Sequence, residues 1–160
     1  MRIRPTTQAD LPFLDALFDG CRVYMAAEGN PTQWDETYPT AKVVAQDITA
    51  GTGYVCVNEH DEVIGSFALA SYEEQYDKIY DGHWHYDEPY VVVHRMGTLP
   101  RQGAGRFIFT ELMAKHPYIR VDTHDSNATM RRLLTSLGFA YCGKVTYEGW
   151  GERVCYDWHQ

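Results

Sequence analysis

At 160 residues and 18.4 kDa the chain is the size of one domain, because two domains of ordinary size would each be short of a core. Hydrophobic residues make up 44% and charged residues 22%, which excludes a disordered chain. With 22 acidic against 14 basic residues the formal charge is −8; this speaks against a nucleic-acid partner, which needs a positive field, and favours a cationic or amine-bearing one.

The chain opens on Met1-Arg2-Ile3-Arg4-Pro5, strand-like over residues 2–4 and with no apolar signal core. No run approaches the roughly 18 apolar residues a membrane span needs, so the expectation is a cytoplasmic protein with no membrane partner. Thr6 or Thr7 caps a helix carrying Leu11, Phe13, Leu14, Leu17, Phe18, Val23 and Tyr24, broken at Gly29-Asn30-Pro31. After a loop with Trp34 and Tyr38, a second helix turns Val43, Val44, Ala45 and Ile48 inward and ends near Gly51. Tyr54–Val57 and Val63–Leu69 form an antiparallel hairpin across Asn58–Glu62. Residues 73–89 make a long excursion rich in acids and aromatics, and such excursions are often functional. Tyr90–Val93 opens a buried strand that runs to about Thr98.

A helix starts near Gly103, and Tyr118–Thr123 is a strand. Ser126 or Asn127 caps a further helix with Met130, Leu133, Leu134 and Leu137 on one face, closed by Gly138. Two last strands lie around 139–147 and 153–158. The order β-α-α-β-β-β-α-β-α-β-β combines antiparallel hairpins with one β-α-β crossover over residues 90–123, so the fold class is α/β with a mixed sheet in one domain, 1–160. Cys21, Cys56, Cys142 and Cys155 lie far apart inside apolar patterns and form no C-x-x-C, which reads as reduced, mostly buried thiols.

The strongest chemical signal is Pro100-Arg101-Gln102-Gly103-Ala104-Gly105-Arg106, between a buried strand and an amphipathic helix. Glycines let the backbone curl round a ligand, and the free N–H groups of the helix start face an anion such as a diphosphate. The pattern is neither G-x-x-x-x-G-K-[ST] nor G-x-G-x-x-G, and a glycine turn made for tight packing is the plainer alternative. The arrangement Arg101-Gln102-Gly103-Ala104-Gly105-Arg106, then Asn127, then Leu137-Gly138-Phe139, resembles the GNAT superfamily of acyl-coenzyme A-dependent N-acyltransferases. The element order is also that family's. Asp122-Thr123-His124-Asp125-Ser126-Asn127 with Gly138-Phe139 and Tyr141-Cys142-Gly143, and Gln33-Trp34 with Tyr38-Pro39, resemble a bacterial-looking subgroup.

The resemblance implies a GNAT acyltransferase fold and acetyl-coenzyme A as co-substrate. Its pyrophosphate sits on the loop of Arg101, Gln102, Gly103, Ala104, Gly105 and Arg106. Main-chain groups of Met96 and Thr98 bond the pantetheine arm where two strands splay, and the amide of Asn127 bonds it from the other side. On its own, Asn127 reads as a helix cap. Two departures stand out: the turn between Thr98 and Gly103 is short, and the tyrosine many members place seven residues after the asparagine is Leu134 here. The thiolate then leaves unaided or takes its proton elsewhere; a thiol of pKa near 8.5 is a fair leaving group.

For the general base, His94 is the first candidate, because it lies on the central strand and histidine ordinarily titrates near neutrality; a core histidine is the alternative. Asp122 and His124 end the neighbouring strand and serve either the reaction or the turn before the helix. Glu36 and Glu88 are weaker candidates. A donor for the oxyanion comes from a main-chain N–H near Met96. His83-x-His85 with Asp87 offers two imidazoles but no second ligand motif, so no metal is expected.

Trp34, Tyr38, Tyr76, Tyr80, Trp84 and Tyr86 form either an acceptor wall for a protonated amine or aromatics packed on the sheet. The function expected is acetyl transfer to a small amine acceptor, an amino acid or polyamine-like compound, directly in a ternary complex. Acylation of a protein lysine or N-terminus, and a coenzyme-binding sensor without catalysis, remain as alternatives. Exposed strand edges and aromatics permit a homodimer.

Overall fold

A computed structural model describes residues 1–160. In chain order it runs β1 (Arg2–Pro5), α1 (Leu11–Ala27), α2 (Ala41–Ala50), β2 (Gly53–Val57), β3 (Val63–Ala70), β4 (Val91–Thr98), α3 (Ala104–Lys115), β5 (Tyr118–Thr123), α4 (Ala128–Ser136), β6 (Ala140–Tyr147) and β7 (Gly151–His159), with short 3-10 turns at Gln8–Asp10 and Glu74–Lys78. The element order agrees with the expected one. Three residues expected to belong to the apolar face of the first helix, Phe13, Val23 and Tyr24, are exposed; Leu14, Leu17, Phe18 and Met25 form its buried stripe. In α2 only Val44 is fully buried. All four cysteines are free thiols.

The strands form one sheet in the order β1-β2-β3-β4-β5-β7-β6. Every neighbouring pair is antiparallel except β4 and β5, the single parallel pair. Alternation along the strands splits the core between two faces. One face carries Cys56, Val93, Ile119, Val121, Val154 and Tyr156 and is covered by α3 and α4 through Ile108, Phe109, Leu112 and Leu134. On the other, Val55 and Val57 pack under α1 and α2. The remaining half of that face, with Val92, Val145 and Cys155, has no helix above it. The excursion 73–89 covers it instead: Tyr76 is fully buried there, with Trp84 against it.

This roof is tied to the sheet by main-chain bonds: Tyr80 exchanges two with Lys144, and His83 N–H donates to Cys142 O at 2.8 Å. Gly82 comes so close that a Cβ on it would stand 1.9 Å from the Cys142 carbonyl oxygen, so only glycine fits. Beneath the roof the Arg120 guanidinium lies 4.1 Å from the Tyr90 ring and 4.5 Å from Trp84, which gives a buried cation aromatic faces in place of an acid.

The entrance to α1 shows how a charge pair fixes a chain end. Asp10 accepts from Thr7 N–H at 2.8 Å and from both arms of the Arg4 guanidinium at 2.8 Å. The hydrogen bonds from Arg4, more than any other cause, hold the Asp10 carboxyl below the ordinary aspartate range. A carboxyl whose pKa is lower folded than unfolded stabilises the protein above its unfolded value, about 3.9, and loses that contribution as pH falls through the folded value. Asp10→Ala is therefore expected to lower unfolding free energy at pH 7 by about 2 kcal/mol. In urea denaturation the gap between the two proteins should narrow once the pH drops below about 4.

Candidate active site

β4 and β5 pair only over Val91–Val93 with Ile119–Val121; beyond that they part. β4 also carries a bulge. Ser66 faces Gly97 and Ala68 faces His94, so Arg95 and Met96 oppose the single residue Phe67. Arg95 absorbs the extra length with φ +52°, a left-handed conformation that costs a non-glycine residue about 1 kcal/mol. The parting and the bulge leave an opening in the middle of the sheet. Two spaces meet at that opening.

The first is a cavity of about 270 Å³ on the face shared by α1 and the roof, where those two coverings leave a gap. His94 enters from β4, its Nε2 3.2 Å from Glu73 Oε1 at the start of the roof. Contact with His94 is the largest of the causes that keep the Glu73 carboxyl below its usual range, so it remains an anion at neutral pH. Asp122, on β5, accepts at Oδ2 from the hydroxyls of Tyr76 (2.7 Å) and Tyr147 (2.8 Å). Burial pushes both tyrosines well above their ordinary pKa, so they stay protonated donors.

Basic groups line this cavity as well. Arg95 donates to Asp47 at 2.5 Å and to Tyr38 Oη at 3.3 Å, and Arg153 comes in from β7. Trp34 lines the cavity while packing edge-on against Phe18, and Tyr38 lies 5.3 Å from the Trp150 ring.

The second space is a groove of about 360 Å³ between α1 and the start of α3. Met96, Thr98, Arg101, Gly103, Ala104, Gly105 and Arg106 line it. Gly103 stands at the helix N-cap with φ +75° and no side chain caps the helix, so the first N–H groups of α3 are left for a ligand. Arg101 and Arg106 bring positive charge there, with Arg106 held by Ser136 Oγ at 2.6 Å. Asn127 does two things at once: Oδ1 accepts from Met130 N–H at 3.1 Å, capping α4, and Nδ2 donates to Gln33 Oε1 at 3.0 Å. Groove and cavity share Met25, Trp34, Met96, Asn127 and Met130, and so abut at the splayed strands.

Cys21 also lines the groove. Burial pushes its thiol up to about 11. With so little thiolate, its alkylation by iodoacetamide at pH 8 is expected to run roughly 10²-fold slower than that of a free thiol, and slower again when the groove is filled. Mass spectrometry of time points measures both rates; alkylation at the free-thiol rate would show the side chain is not enclosed.

Several expectations need correction. Tyr76 and Trp84, expected to bind substrate, do not line this cavity: Tyr76 is fully buried on Asp122, and Trp84 Nε1 donates to Tyr76 O at 2.8 Å. They are the roof's own core, since a sheet half without a helix needs large apolar bodies above it. Of the excursion's acids, only Glu73 reaches the cavity. His124 turns away, its Nδ1 accepting from Ser126 N–H at 3.0 Å. Gln102 is exposed and outside the groove lining. Glu36 is exposed outside the cavity, and Glu88 pairs with His159 at 2.7 Å.

Cys142 lies in the sheet under the roof beside a histidine: His85 Nδ1 is 3.4 Å from its Sγ and 2.7 Å from Asp157 Oδ1. Leu134 belongs to the core beneath α4. Glu73 belongs to the acidic excursion that the sequence singles out for the acceptor side; sequence reasoning missed Arg95, Tyr147, Trp150 and Arg153. Arg95 had a signal, because it adjoins His94; the other three sit in the last hairpin, with no local pattern to mark them.

A mixed sheet opened at its one parallel pair, with a glycine-led helix start on one side of the opening and an acid–base cavity on the other, defines the GNAT acyltransferase fold. Among solved structures, the chain is similar to a GNAT-family acetyltransferase from Streptococcus agalactiae, with a TM-score of 0.88 and 29% identity over 99% of this chain and 95% of that one. It is also similar to a ribosomal-protein-alanine N-acetyltransferase from Brucella melitensis (TM-score 0.65, 21% identity, 100% of both chains). A phosphinothricin acetyltransferase from Sinorhizobium meliloti, solved in complex with acetyl-coenzyme A, matches at a TM-score of 0.65 and 17% identity over 99% of this chain and 87% of that one. No protein-family model and no curated protein matches. The fold of the chain is that of the GNAT acetyltransferases. No helix is long and apolar enough to cross a membrane.

Proposed function

We propose that this protein is an N-acetyltransferase that moves an acetyl group from acetyl-coenzyme A to the primary amine of a small molecule, directly within a ternary complex. The observation that carries the reading is the meeting of an anion-binding groove and an acid–base cavity at the splayed end of β4 and β5. The diphosphate lies on the start of α3, between Arg101 and Arg106. The pantetheine arm follows the main chain of Met96 and Thr98, whose edge β5 leaves unpaired. That route delivers the thioester to the opening.

The amine comes from the cavity side. Its nitrogen lone pair attacks the thioester carbonyl carbon, and the oxygen takes up negative charge beside the main-chain N–H groups of the β4 bulge. His94 receives the nitrogen's proton, and Glu73 holds the imidazole and balances its charge. Asp122, fixed by two tyrosine hydroxyls, adds negative potential that draws an ammonium group in; the ammonium gives one proton to solvent before its lone pair attacks. The carbon–sulfur bond then breaks with its electron pair on sulfur. A leaving thiolate of pKa near 8.5 needs no acid, which agrees with Leu134 lying in the core. Holding both reactants at one opening supplies much of the rate.

Direct transfer is favoured over an acyl-enzyme because the cysteine lining the groove, Cys21, is raised to about 11 and is therefore a poor nucleophile. Release of free thiol from acetyl-coenzyme A, followed with a panel of amines and peptides, tests the reading. Amine-dependent release is expected. Binding of the coenzyme with no release for any amine would make the protein a sensor, and release with peptides alone would make it a protein acetyltransferase.

A further inference from the structure

The cavity contains a charge that the acyl-transfer chemistry does not use. Arg153 is 6% exposed and lines the cavity wall, yet no carboxylate lies within ion-pair distance of it. Its donors go to main-chain carbonyls: Nη1 to Trp150 O and Glu152 O, each at 3.0 Å, and Nη2 to Gln33 O at a long 3.4 Å. Burying a cation without a counter-ion is costly, and natural proteins keep such a group where something else neutralises it.

Arg120 shows the contrast. It is equally buried, at 6%, and also lacks an acid, but three aromatic rings surround its guanidinium and it lies outside the cavity. Arg153 has no ring over it. Asp122 acts on Arg153 only at longer range, and its Oδ2 already takes the hydroxyls of Tyr76 and Tyr147. Arg95 lines the same cavity. Asp47 and Tyr38 occupy its two terminal nitrogens, and its Nε is buried without a partner.

We infer that the acceptor is a zwitterion, a small α-amino acid or close analogue, whose carboxylate is received by Arg153 and Arg95 while its amine faces His94, Glu73 and Asp122. This rests on the acyl-transfer reading above and names its substrate class. The cavity carries both signs to suit: the carboxylates of Glu73 and Asp122 and the guanidiniums of Arg95 and Arg153 all line the same space of about 270 Å³. A guanidinium fork matches a carboxylate in two parallel hydrogen bonds. A polyamine would set a second cation against Arg153. The acidity of the whole chain, which favours a purely cationic acceptor, is therefore a poor guide to this one cavity.

The test uses matched pairs: the twenty standard L-amino acids and their carboxamides, which keep the amine, side chain and size but lose the negative charge. Binding at pH 7 to the intact protein saturated with coenzyme A is measured by calorimetry. At least one acid is expected to bind, with its amide roughly 30-fold weaker, because truncating one partner of a buried charge pair leaves the other unpaired. Arg153→Met should erase that difference, and Arg153→Lys should restore part of it.

If either variant fails to fold, the comparison of acid with amide on the unchanged protein still decides. Amides or simple alkylamines that bind as well as the acids would overturn the inference, as would the absence of any bound acid at millimolar concentration. Thiol release is scored separately. Acid-selective binding without release would sink the enzymatic reading alone, whereas release with no preference for the carboxylate would sink the zwitterion alone.

Discussion

Replacing His94 by glutamine is expected to lower turnover roughly 10²-fold while leaving coenzyme affinity unchanged. Glutamine is close to histidine in reach and can still donate to Glu73, but it cannot take a proton from the attacking amine. The coenzyme contacts expected on β4 are main-chain ones, so a side-chain change there should not disturb them. Glu73→Gln should give a smaller loss, because the imidazole remains and only its anionic support is removed. Steady-state thiol release measures turnover, calorimetry measures coenzyme binding, and a thermal melt checks that each variant is folded. Full turnover in a folded His94→Gln protein would return His94 to the class of core histidines that pair with a nearby acid for stability.

The second large effect is expected at the start of α3. Gly103→Asp should weaken acetyl-coenzyme A binding by roughly 10²-fold, equivalent to about 2.7 kcal/mol. The position is well suited to the test. A Cβ there meets only the Met1 methyl at 4.0 Å, and aspartate tolerates the left-handed backbone better than most residues. A carboxylate at this N-cap would satisfy free N–H groups and favour the helix dipole, so the fold is held or strengthened. The same carboxylate would occupy the place of the diphosphate and repel it. Gly105 is a poorer choice, because a Cβ on it would press Leu133 at 3.2 Å and confuse packing with binding. Unchanged coenzyme affinity in the Gly103→Asp protein would mean that the anion site lies elsewhere.

The elements of this protein were legible in its sequence because their signals are local. Leu134 and its helical neighbours repeat at the period of one face, Gly103 and Gly138 stand where a backbone must turn, and Val91 to Val93 read as a strand covered on both sides. The groove proposed for the coenzyme was legible for the same reason, since a glycine turn, two arginines and a helix start are adjacent along the chain.

The cavity proposed for the acceptor was decided by tertiary structure. Its walls come from residues far apart in sequence: Glu73 from the roof, Arg95 from a bulge that only cross-strand pairing reveals, and Tyr147, Trp150 and Arg153 from the last hairpin. Nothing local separates Tyr76 and Trp84 in a roof from the same residues in a binding wall, because both settings need large aromatics with one polar atom. What separates them is the sheet half that α1 and α2 leave bare, which the excursion must cover. The net charge of −8 likewise belongs to the whole chain, while a buried guanidinium inside a cavity answers only to the groups within a few ångströms of it.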